Sequence, residues 1–329
     1  MYLIQLFIAT HNRPLRAVKA ISSVLNQSFT EFELIVSDNS TNDDTRLALS
    51  VFNDPRLKYV KRESELSAIE HLNVILNEVI SEYFMIFHDD DLMHTNMVQE
   101  LYENIISHQD CVAVGANARI LTPGFFPNRL MLKNKNRNLL IGSRDQMAYQ
   151  FLIKRGIVPL SSYLHKYIVA EKLRFNPDNG GKHCDVAFMM DVASMGKVLM
   201  LIKPLMDYFI STGQDSSINE FLHRTRLINF ITKTSIYKND SYLVKRFRIV
   251  NLYYELIQDA RNNHQISRKR RLRILKLIFK VSPFDFYPRI ILKLMTIRNP
   301  THKFIDFLRL PRPQGERRKS IYSPWGWGK

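Results

Sequence analysis

Short apolar runs alternate with amphipathic segments along the first 120 residues of the chain. Runs rich in β-branched and aromatic residues predict strands, and apolar residues spaced three or four apart predict helices. The predicted strands are YLIQLFIAT (2–10), FELIVSDNS (32–40), LKYVKR (57–62), YFMIF (83–87) and CVAVGANARI (111–120). The predicted helices are LRAVKAISSVL (15–25), STNDDTRLALSVF (40–52), SAIEHLNVILNEVI (67–80) and HTNMVQELYENIISH (94–108). Ser40, Thr41 or Asn42 is expected to cap the second helix. The alternation predicts an α/β fold with a mostly parallel sheet flanked by helices.

Polar side chains follow three of these strands at their carboxyl ends. The clusters are Thr10–Arg13, Ser37–Ser40 and His88–Asp91. Ligands of parallel α/β sheets bind beyond the carboxyl ends of the strands. We therefore expect one polar crevice built from these three loops.

The run of aspartates in FMIFHDDDLM (84–93) requires a positive charge nearby. Asp89, Asp90 and Asp91 directly follow a predicted buried strand, where adjacent negative charges repel unless a cation balances them. Carboxylate oxygens suit Mg²⁺ or Mn²⁺, and such an ion can neutralise a diphosphate as it leaves. The alternative is a helix cap, with Asp91 or Thr95 at the start of the next helix.

The other two clusters offer groups for a nucleotide. Asp38 could accept hydrogen bonds from a ribose or base, and Arg13 could meet a phosphate. Each residue also has a local alternative, because Asp38 suits an Asx turn and Arg13 suits an exposed turn. Thr10 and Asn12 suit caps of the first helix. The residues alone leave both interpretations open.

The second half of the sequence is less regular. Residues 122–148 are basic and rich in loop-forming residues, and they show no clear period. After the turn-rich FNPDNGGKHCD, a helix is predicted in VAFMMDVASMG (186–196) and a strand in KVLMLIKPLMDYF (197–209). Gly180 and Gly181 could let the preceding loop fold over a ligand, although a tight turn would also explain them.

Charge divides the chain into two parts. Residues 1–242 contain 26 Lys or Arg and 26 Asp or Glu, so residues 243–329 carry the whole net charge of +16. We predict a globular domain over 1–242, with halves of about 1–120 and 121–242. We predict a basic, amphipathic helical extension with a mobile C-terminal tail over 243–329.

Within the extension, RKRRLRILKLIFK (268–280) mixes basic and apolar residues as helices on anionic membrane surfaces do. Packing of its apolar stripe on the globular domain or in an oligomer is the second interpretation, and nucleic-acid binding is the third. No run reaches the roughly 18 apolar residues of a membrane span, and the N-terminus lacks a basic signal-peptide start. Two cysteines are too few for a disulfide framework. We expect a cytoplasmic protein that lies on the inner face of the cell membrane.

Residues 9–45 resemble the opening of the family 2 inverting glycosyltransferases, nucleotide-sugar enzymes with the GT-A fold that build bacterial surface polysaccharides. Their sequence is ATHNRPLRAVKAISSVLNQSFTEFELIVSDNSTNDDT. In that family a strand ends in a Thr-Tyr-Asn-Arg-like turn, a Ser-Val-Leu-x-Gln helix follows, and a second strand ends in Asp-(Asp/Asn)-x-Ser-x-Asp. SEYFMIFHDDDLMHTNMVQEL (81–101) resembles the segment with the metal-binding Asp-x-Asp. The resemblance extends from residue 3 to about 220 and is weak in 120–160.

The resemblance implies roles for the polar clusters. It assigns to the donor nucleotide, usually a uridine diphosphate, the residues Thr10, Asn12, Arg13, Asp38, Asn39 and Asp89. It assigns the metal ion, Mn²⁺ or Mg²⁺, to Asp90 and Asp91, with Asp90 as the main ligand. The family often has Asp-x-Asp-Asp here, so His88 stands where its first aspartate is expected.

Residues 176–216 resemble the second half of the family, where an acidic residue at the start of a helix deprotonates the acceptor hydroxyl. The matching residue is Asp185, and Asp191 is the fallback. The local alternative for Asp185 is a helix N-cap. The family often has Glu-Asp here, whereas this chain has Cys184 before the aspartate. A histidine common in the family is replaced by Ser211.

Together these expectations describe a metal-dependent inverting glycosyltransferase. It would move a hexosyl or N-acetylhexosaminyl group from a nucleotide-diphosphate donor, expected to be a UDP-sugar, to a hydroxyl of a lipid-linked glycan in lipopolysaccharide, capsule or glycoconjugate synthesis. One alternative is a nucleotidyltransferase on a related fold, although no Gly-rich, Lys-containing phosphate loop follows the first strand. The other is a non-catalytic basic protein that binds membranes or nucleic acid. Nucleic acid is not the expected partner, and a homo-oligomer stays open.

Overall fold

The computed structural model describes residues 2–63, 66–121, 129–133, 137–154, 157–210, 220–261 and 268–281. The strands in these ranges are β1 (Ile4–Thr10), β2 (Phe32–Asp38), β3 (Leu57–Lys61), β4 (Tyr83–His88), β5 (Leu92–Met93), β6 (Cys111–Leu121), β7 (Arg129–Leu130), β8 (Leu139–Ile141), β9 (Tyr163–Lys166) and β10 (Lys197–Phe209). The α-helices are α1 (Pro14–Leu25), α2 (Asp44–Ala48), α3 (Ala68–Asn77), α4 (Met97–Ser107), α5 (Arg144–Tyr149), α6 (Tyr167–Lys172), α7 (Cys184–Met195), α8 (Glu220–Thr234), α9 (Tyr242–Arg261) and α10 (Arg268–Val281).

One sheet forms the centre of the fold. Its strand order is β3-β2-β1-β4-β9-β6-β10-β5, and β7 and β8 pair with β6 and β10 outside that path. β3, β2, β1 and β4 run parallel, and β6 and β10 form a second parallel pair. β9 joins the two groups and is antiparallel to both β4 and β6. The predicted α/β fold with a mostly parallel sheet is confirmed.

The sheet is buried on both faces because its strands are apolar at successive positions. Phe7 of β1 packs into the core cluster on one face, whereas Leu6 and Ile8 pack into the cluster on the other. Helices α3, α5 and α7 complete the first cluster, and α1 and α4 complete the second. Two layers of helices therefore hold the strand ends in fixed relative positions.

The start of α2 differs from the prediction. The helix begins only at Asp44, and its N-cap residue Asp43 makes no side-chain capping bond. Of the three candidates, Asn42 does meet the helix, because its Oδ1 accepts a hydrogen bond from the Asp44 backbone N at 3.3 Å. Ser40 does not cap the helix, because its hydroxyl instead accepts a hydrogen bond from the turn that joins β1 to α1. This turn is called the β1–α1 turn below.

The helix-cap alternative for the aspartate run is wrong. Helix α4 has Asn96 as its N-cap residue, without a side-chain capping bond, so neither Asp91 nor Thr95 caps it. Helix α1 also lacks a side-chain cap, and the polar residues that precede it make other contacts. Both clusters of polar residues are therefore available for roles other than helix capping.

The region predicted as loops, 122–148, contains β7, β8 and α5 in its described part. Strand β7 has two residues and β8 has three, which is too short for an alternating pattern to show in the sequence. Both pair antiparallel with longer strands. Their strand conformation therefore depends on this pairing rather than on their own sequence.

The described part of the predicted helical extension forms α9 and α10. The first turns of α9 pack on the main core through Val244 and Phe247. Farther along, a separate small cluster contains Ile249, Leu252, Leu256, Ile274 and Ile278. In the described part of the chain, no helix has the length and apolar character needed to cross a membrane. The expected C-terminal tail lies outside the described residues.

Candidate active site

The carboxyl ends of β1, β2 and β4 lie side by side along one edge of the sheet. In the strand register Thr10 is opposite Asp38, and Ala9 is opposite His88. The parallel order β2-β1-β4 requires this arrangement, because all three strands end at the same edge of the sheet. The three polar clusters therefore meet at one edge of the sheet, and a ligand-binding crevice there stays a prediction.

Asp38 is fully buried at the end of β2. Its Oδ1 accepts a hydrogen bond from the Ser40 backbone N at 2.9 Å, which forms the Asx turn that the sequence allowed. Its Oδ2 accepts a hydrogen bond from the Tyr59 hydroxyl at 2.7 Å, and Lys61 Nζ lies 3.7 Å away. Burial and the contact with Asp38 raise the pKa of Tyr59. Two residues of β3 that the sequence did not single out thus hold Asp38 in place.

Asn12 gives the β1–α1 turn its shape. Its φ of 53° lies in the left-handed region, which asparagine adopts more readily than most residues with a side chain. Its backbone N donates to Ser40 Oγ at 2.7 Å, and its Oδ1 accepts from the Thr41 backbone N at 3.0 Å. Asn12 therefore ties the turn after β1 to the turn after β2.

The side-chain amide of Asn39 is engaged within the protein. Its Nδ2 donates to the Leu66 carbonyl at 2.8 Å, and its Oδ1 accepts from the Leu66 backbone N at 3.1 Å. His11 Nδ1 lies 2.7 Å from the Asn39 carbonyl oxygen. These contacts hold the loop before α3 and the β1–α1 turn against the end of β2. A direct contact of Asn39 with a nucleotide stays a prediction.

Asp89 faces β1. Thr10 Oγ1 donates a hydrogen bond to Asp89 Oδ2 at 2.7 Å, and Arg13 Nη1 lies 3.3 Å from Oδ1. Burial raises the pKa of Asp89, and the hydrogen bond from Thr10 opposes that change. The resemblance assigns Thr10, Arg13 and Asp89 to the nucleotide, and in the structure Thr10 and Arg13 both contact Asp89.

His88, Asp90 and Asp91 form a group that could hold a metal ion. One potential ligand atom from each residue lies within 4.8 Å of the others. Two ligand atoms about 2.1 Å from one ion are roughly 3 Å apart when adjacent and 4.2 Å apart when opposite, so the three side chains would have to move closer together by up to about 1–2 Å to share it. The predicted pair Asp90 and Asp91 fits a metal site. The third member is His88, because Asp89 is turned toward β1.

Asp91 is the most enclosed member of this group and is fully buried. Ser161 Oγ donates to its Oδ2 at 2.8 Å, and the Phe209 backbone N lies 3.3 Å from its Oδ1. Burial raises the pKa of Asp91 to about 6, and the nearby His88 opposes this shift. Ser161 and Phe209 come from segments far along the chain, and nothing in the sequence marks them as partners of the aspartates.

Asp90 faces two guanidinium groups at the start of α1. Its Oδ2 lies 3.6 Å from Arg13 Nη1 and 3.7 Å from Arg16 Nη1. The two arginines offset the negative charge of the aspartate run and present donors suited to phosphate oxygens. Arg16 lies one helical turn after Arg13, a spacing that could have marked it in the sequence.

Asp185 lies in the first turn of α7. The N-cap residue of this helix is His183, so the N-cap alternative for Asp185 is wrong. Its Oδ1 is shut off from solvent and has no hydrogen-bond partner among the described residues. Burial raises the pKa of Asp185, while a backbone hydrogen bond from Val186 and the nearby His88 lower it. A buried carboxylate with an unused oxygen can act as a general base.

Tyr208, near the end of β10, is close enough to both groups to feel their charges. Burial and the charges of Asp91, Asp185 and Asp90 all raise the pKa of its phenol. Asp185 also feels the charge of His88, so it lies near the candidate metal group. The sequence indicated Tyr208 only as a strand residue. The predicted role of Ser211 lies outside the described residues.

A buried chain of hydrogen bonds lies behind Asp38. His71 Nε2 is 2.6 Å from Ser37 Oγ, and Arg62 Nε donates to the same oxygen at 2.8 Å. Arg62 in turn donates to both carboxylate oxygens of Glu78. Ser37 Oγ has one proton and two lone pairs, so beside the bond from Arg62 it can either donate to His71 Nε2 or accept from it, depending on the histidine tautomer.

The comparison with protein families agrees with this geometry. Residues 6–168 match the sequence profile described as Glycosyl transferase family 2. Residues 6–168, about half of the chain, are a domain of this family. The match contains the β1–α1 turn, Asp38 and the aspartate run, on which the resemblance was based.

Two curated relatives show how far the likeness extends. An uncharacterized glycosyltransferase of Rickettsia conorii is 24% identical over 308 residues, which cover 89% of this chain and 48% of the relative. The UDP-Glc:alpha-D-GlcNAc-diphosphoundecaprenol beta-1,3-glucosyltransferase WfgD of Escherichia coli is 28% identical over 98 residues, 30% of this chain and 39% of the relative. The chain spans less than half the length of these two relatives.

Solved structures share the fold. The S. aureus protein TarS 1–349 in complex with UDP-GlcNAc aligns with a TM-score of 0.58 at 13% identity, over 84% of this chain and 80% of that one. The mannosyltransferase PcManGT from Pyrobaculum calidifontis, in complex with GDP-Man and Mn²⁺, aligns with a TM-score of 0.53 at 15% identity, over 90% of this chain and 84% of that one. At these identities the likeness shows the fold alone, and the expected GT-A fold is confirmed.

Proposed function

We propose that this family 2 chain is an inverting glycosyltransferase that uses a divalent cation and moves a sugar from a nucleotide-diphosphate donor to a hydroxyl of a glycan. The observation that carries the proposal is the arrangement around Tyr208. The group of His88, Asp90 and Asp91 lies close to the partly buried Asp185. A site suited to a leaving diphosphate thus adjoins a group that can take up a proton.

The donor nucleotide is proposed to bind at the ends of β1 and β2. Each oxygen of Asp38 accepts one hydrogen bond in the structure and retains a second lone pair for a ribose or base. Arg13 and Arg16 offer positive charge for the phosphates beside Asp90. Thr10 orients Asp89, and Asn12 shapes the turn that the nucleotide would meet.

The proposed reaction is a single displacement. Asp185 accepts the proton of the acceptor hydroxyl while that oxygen attacks the anomeric carbon of the donor sugar. Attack on the side opposite to the leaving diphosphate inverts the anomeric configuration. A divalent ion bound to Asp90 and Asp91 would supply positive charge for the leaving diphosphate. The burial of Asp185 raises its pKa toward the range in which a carboxylate is an effective base.

We propose a UDP-sugar carrying a hexosyl or N-acetylhexosaminyl group as the donor, and a lipid-linked glycan as the acceptor. The UDP-GlcNAc complex of TarS and the UDP-Glc donor in the name of WfgD support the donor class. The diphosphoundecaprenol acceptor in the name of WfgD supports the acceptor class and a role in surface glycoconjugate synthesis. The GDP-Man complex of PcManGT makes a guanine nucleotide the competing donor to include in an assay.

The direct test is the release of nucleotide diphosphate from a panel of UDP- and GDP-sugars, with a lipid-diphosphate-linked sugar as acceptor. The proposal predicts release from at least one UDP-sugar that requires both the acceptor and a divalent cation. Anomeric NMR of the product should show inversion. No turnover of any donor under any metal condition would remove the enzyme proposal.

The role of Asp185 can be tested with a matched pair of variants on one helix. Asp185→Asn should lower transfer by about 10²–10⁴-fold, because loss of a general base has that effect, while calorimetry should show unchanged UDP binding. Asp191→Asn is the control, since Arg144 Nη2 donates to the Asp191 carboxylate at 2.7 Å outside the candidate site. Full transfer by Asp185→Asn would exclude Asp185 as the base.

We also propose that residues 1–242 are the catalytic domain and that the extension 243–329 attaches it to the anionic inner face of the cell membrane. Helix α10 buries Ile274 and Ile278 against α9, so its apolar stripe packs within the protein. The other side of α10 carries exposed Lys269, Arg273 and Lys276, together with Leu272 and Leu277, which are 52% and 44% exposed. Exposed leucines among cations suit a lipid surface better than a nucleic acid.

The attachment can be tested by sedimentation with vesicles that contain or lack anionic lipid. Each cation near such a surface contributes about 1 kcal/mol, so Arg273→Glu/Lys276→Glu should weaken binding by at least about 2 kcal/mol, roughly thirtyfold. Lys19→Glu/Lys172→Glu removes equal charge from exposed positions elsewhere and should have little effect. Equal loss in both variants, or binding to nucleic acid instead of vesicles, would contradict the proposal.

A further inference from the structure

His88 occupies the carboxyl end of β4, and its side chain is 37% exposed toward the crevice edge of the sheet. Its Nδ1 lies 4.0 Å from Asp91 Oδ2, which is too long for a hydrogen bond but suits two ligands of one ion. Asp90 completes the group within 4.8 Å. The imidazole is therefore close enough to share a cation with both aspartates.

Asp89 does not compete with His88 for this position. Both of its oxygens contact the side of β1, through Thr10 at 2.7 Å and Arg13 at 3.3 Å. Of the four consecutive polar residues at the end of β4, three face the candidate metal position and one faces away. The donor atoms of the group are thus one imidazole nitrogen and carboxylate oxygens.

This donor set changes which ion fits. An imidazole in place of a carboxylate removes one negative charge and one hard oxygen ligand from the site. Mg²⁺ depends on hard oxygen ligands and gains little from a nitrogen donor. First-row transition-metal ions accept imidazole nitrogen, and their affinity for mixed nitrogen and oxygen sites rises from Mn²⁺ to Co²⁺.

We propose that His88 is a direct ligand of the divalent ion and makes this site bind Mn²⁺ or Co²⁺ in preference to Mg²⁺. The inference rests on the proposed function, because the ion is the one that would meet the donor diphosphate. It concerns this chain's own substitution at a position where a carboxylate is common in the family. His88 thus determines metal selectivity, while Asp90 and Asp91 supply the charge.

The test uses the full chain with Mn²⁺ alone and then with Mn²⁺ and UDP. Pulsed EPR of bound Mn²⁺ should show the ¹⁴N coupling of a coordinated imidazole, and His88→Asp should remove it. His88→Ala should lower Mn²⁺ affinity by at least about tenfold, because loss of a ligand affects affinity no less than loss of an outer partner, which costs about 10- to 100-fold. In His88→Asp the ratio of Mg²⁺ affinity to Mn²⁺ affinity should rise, since the variant restores a third carboxylate.

His94→Gln is the matched control, because this histidine also lies beside a carboxylate, with Nε2 3.1 Å from Asp207 Oδ1, but is not a member of the metal group found among the described residues. It should keep the ¹⁴N coupling and the metal preference. No Mn²⁺ binding, no ¹⁴N coupling in the wild-type complex, or an unchanged metal preference in His88→Asp would overturn the inference. Nucleotide release measured in parallel separates the two proposals: turnover without ¹⁴N coupling overturns only the ligand assignment, and ¹⁴N coupling without turnover overturns only the enzyme proposal.

Discussion

His71 should make the stability of the protein depend on pH in a defined window. The side chain is 4% exposed, and its Nε2 lies 2.6 Å from Ser37 Oγ, next to Asp38. Burial, with a smaller contribution from the charge of Arg62, lowers the pKa of His71 from 6.5 to about 4. Protonation would place a buried positive charge close to that of Arg62. The folded chain therefore keeps His71 neutral where the unfolded chain protonates it.

The sign and size of this pH effect on stability follow from the difference in proton binding between the folded and unfolded states. Between pH 6.5 and about 4 the unfolded state binds a proton at His71 that the folded state does not, so stability falls as the pH falls through this window. The difference between the two pKa values corresponds to about 3 kcal/mol when the window is crossed completely. Above pH 6.5 both states are neutral at this residue, and the effect vanishes.

The assay is urea unfolding at pH 7.5 and pH 4.5 for the wild type and for His71→Gln, which keeps an acceptor for Ser37 but does not titrate. The wild type should lose about 2–3 kcal/mol more than the variant between the two pH values. Other buried groups contribute equally to both proteins and cancel. His108→Gln, at the end of α4, should follow the wild type. Parallel pH curves for the wild type and His71→Gln would refute the argument.

Three further predictions concern the site. Asp90→Ala should lower transfer more than His88→Ala, because Asp90 supplies charge as well as a ligand atom; the reverse order in kcat/KM would show that the aspartate register is misassigned. Gly181→Ala should lower the free energy of unfolding by about 1–2 kcal/mol or more in urea titrations, since its φ is +58° and the new Cβ would lie 1.9 Å from His223 Nδ1; an unchanged stability would contradict this. EDTA should abolish transfer while circular dichroism stays unchanged, and Mn²⁺ should restore it; transfer that persists in EDTA would exclude a metal-dependent reaction.

The order of strands and helices in residues 1–120 is determined mostly by local sequence. The apolar period of each strand and the spacing of apolar residues in α1, α3 and α4 are set by neighbours within a few positions, so the alternation was predictable. The strand predicted over 197–209 is observed as β10, Lys197–Phe209. Ser40 does not cap α2 because it bonds to a turn 28 residues earlier, and a local propensity cannot anticipate that partner.

The sequence by itself determined that polar residues end three parallel strands, and therefore that they meet. It did not determine which carboxylate oxygens face a ligand. Tertiary contacts turn Asp89 toward Thr10 and hold Asp91 between Ser161 and the end of β10. Three adjacent aspartates are equivalent in the sequence, and they differ only because partners 70 to 118 residues away occupy some of their oxygens and leave others for a cation. The placement of Asp185 near this group likewise depends on how α7 packs, because only the packed core brings carboxylates distant in the sequence within electrostatic range of one tyrosine.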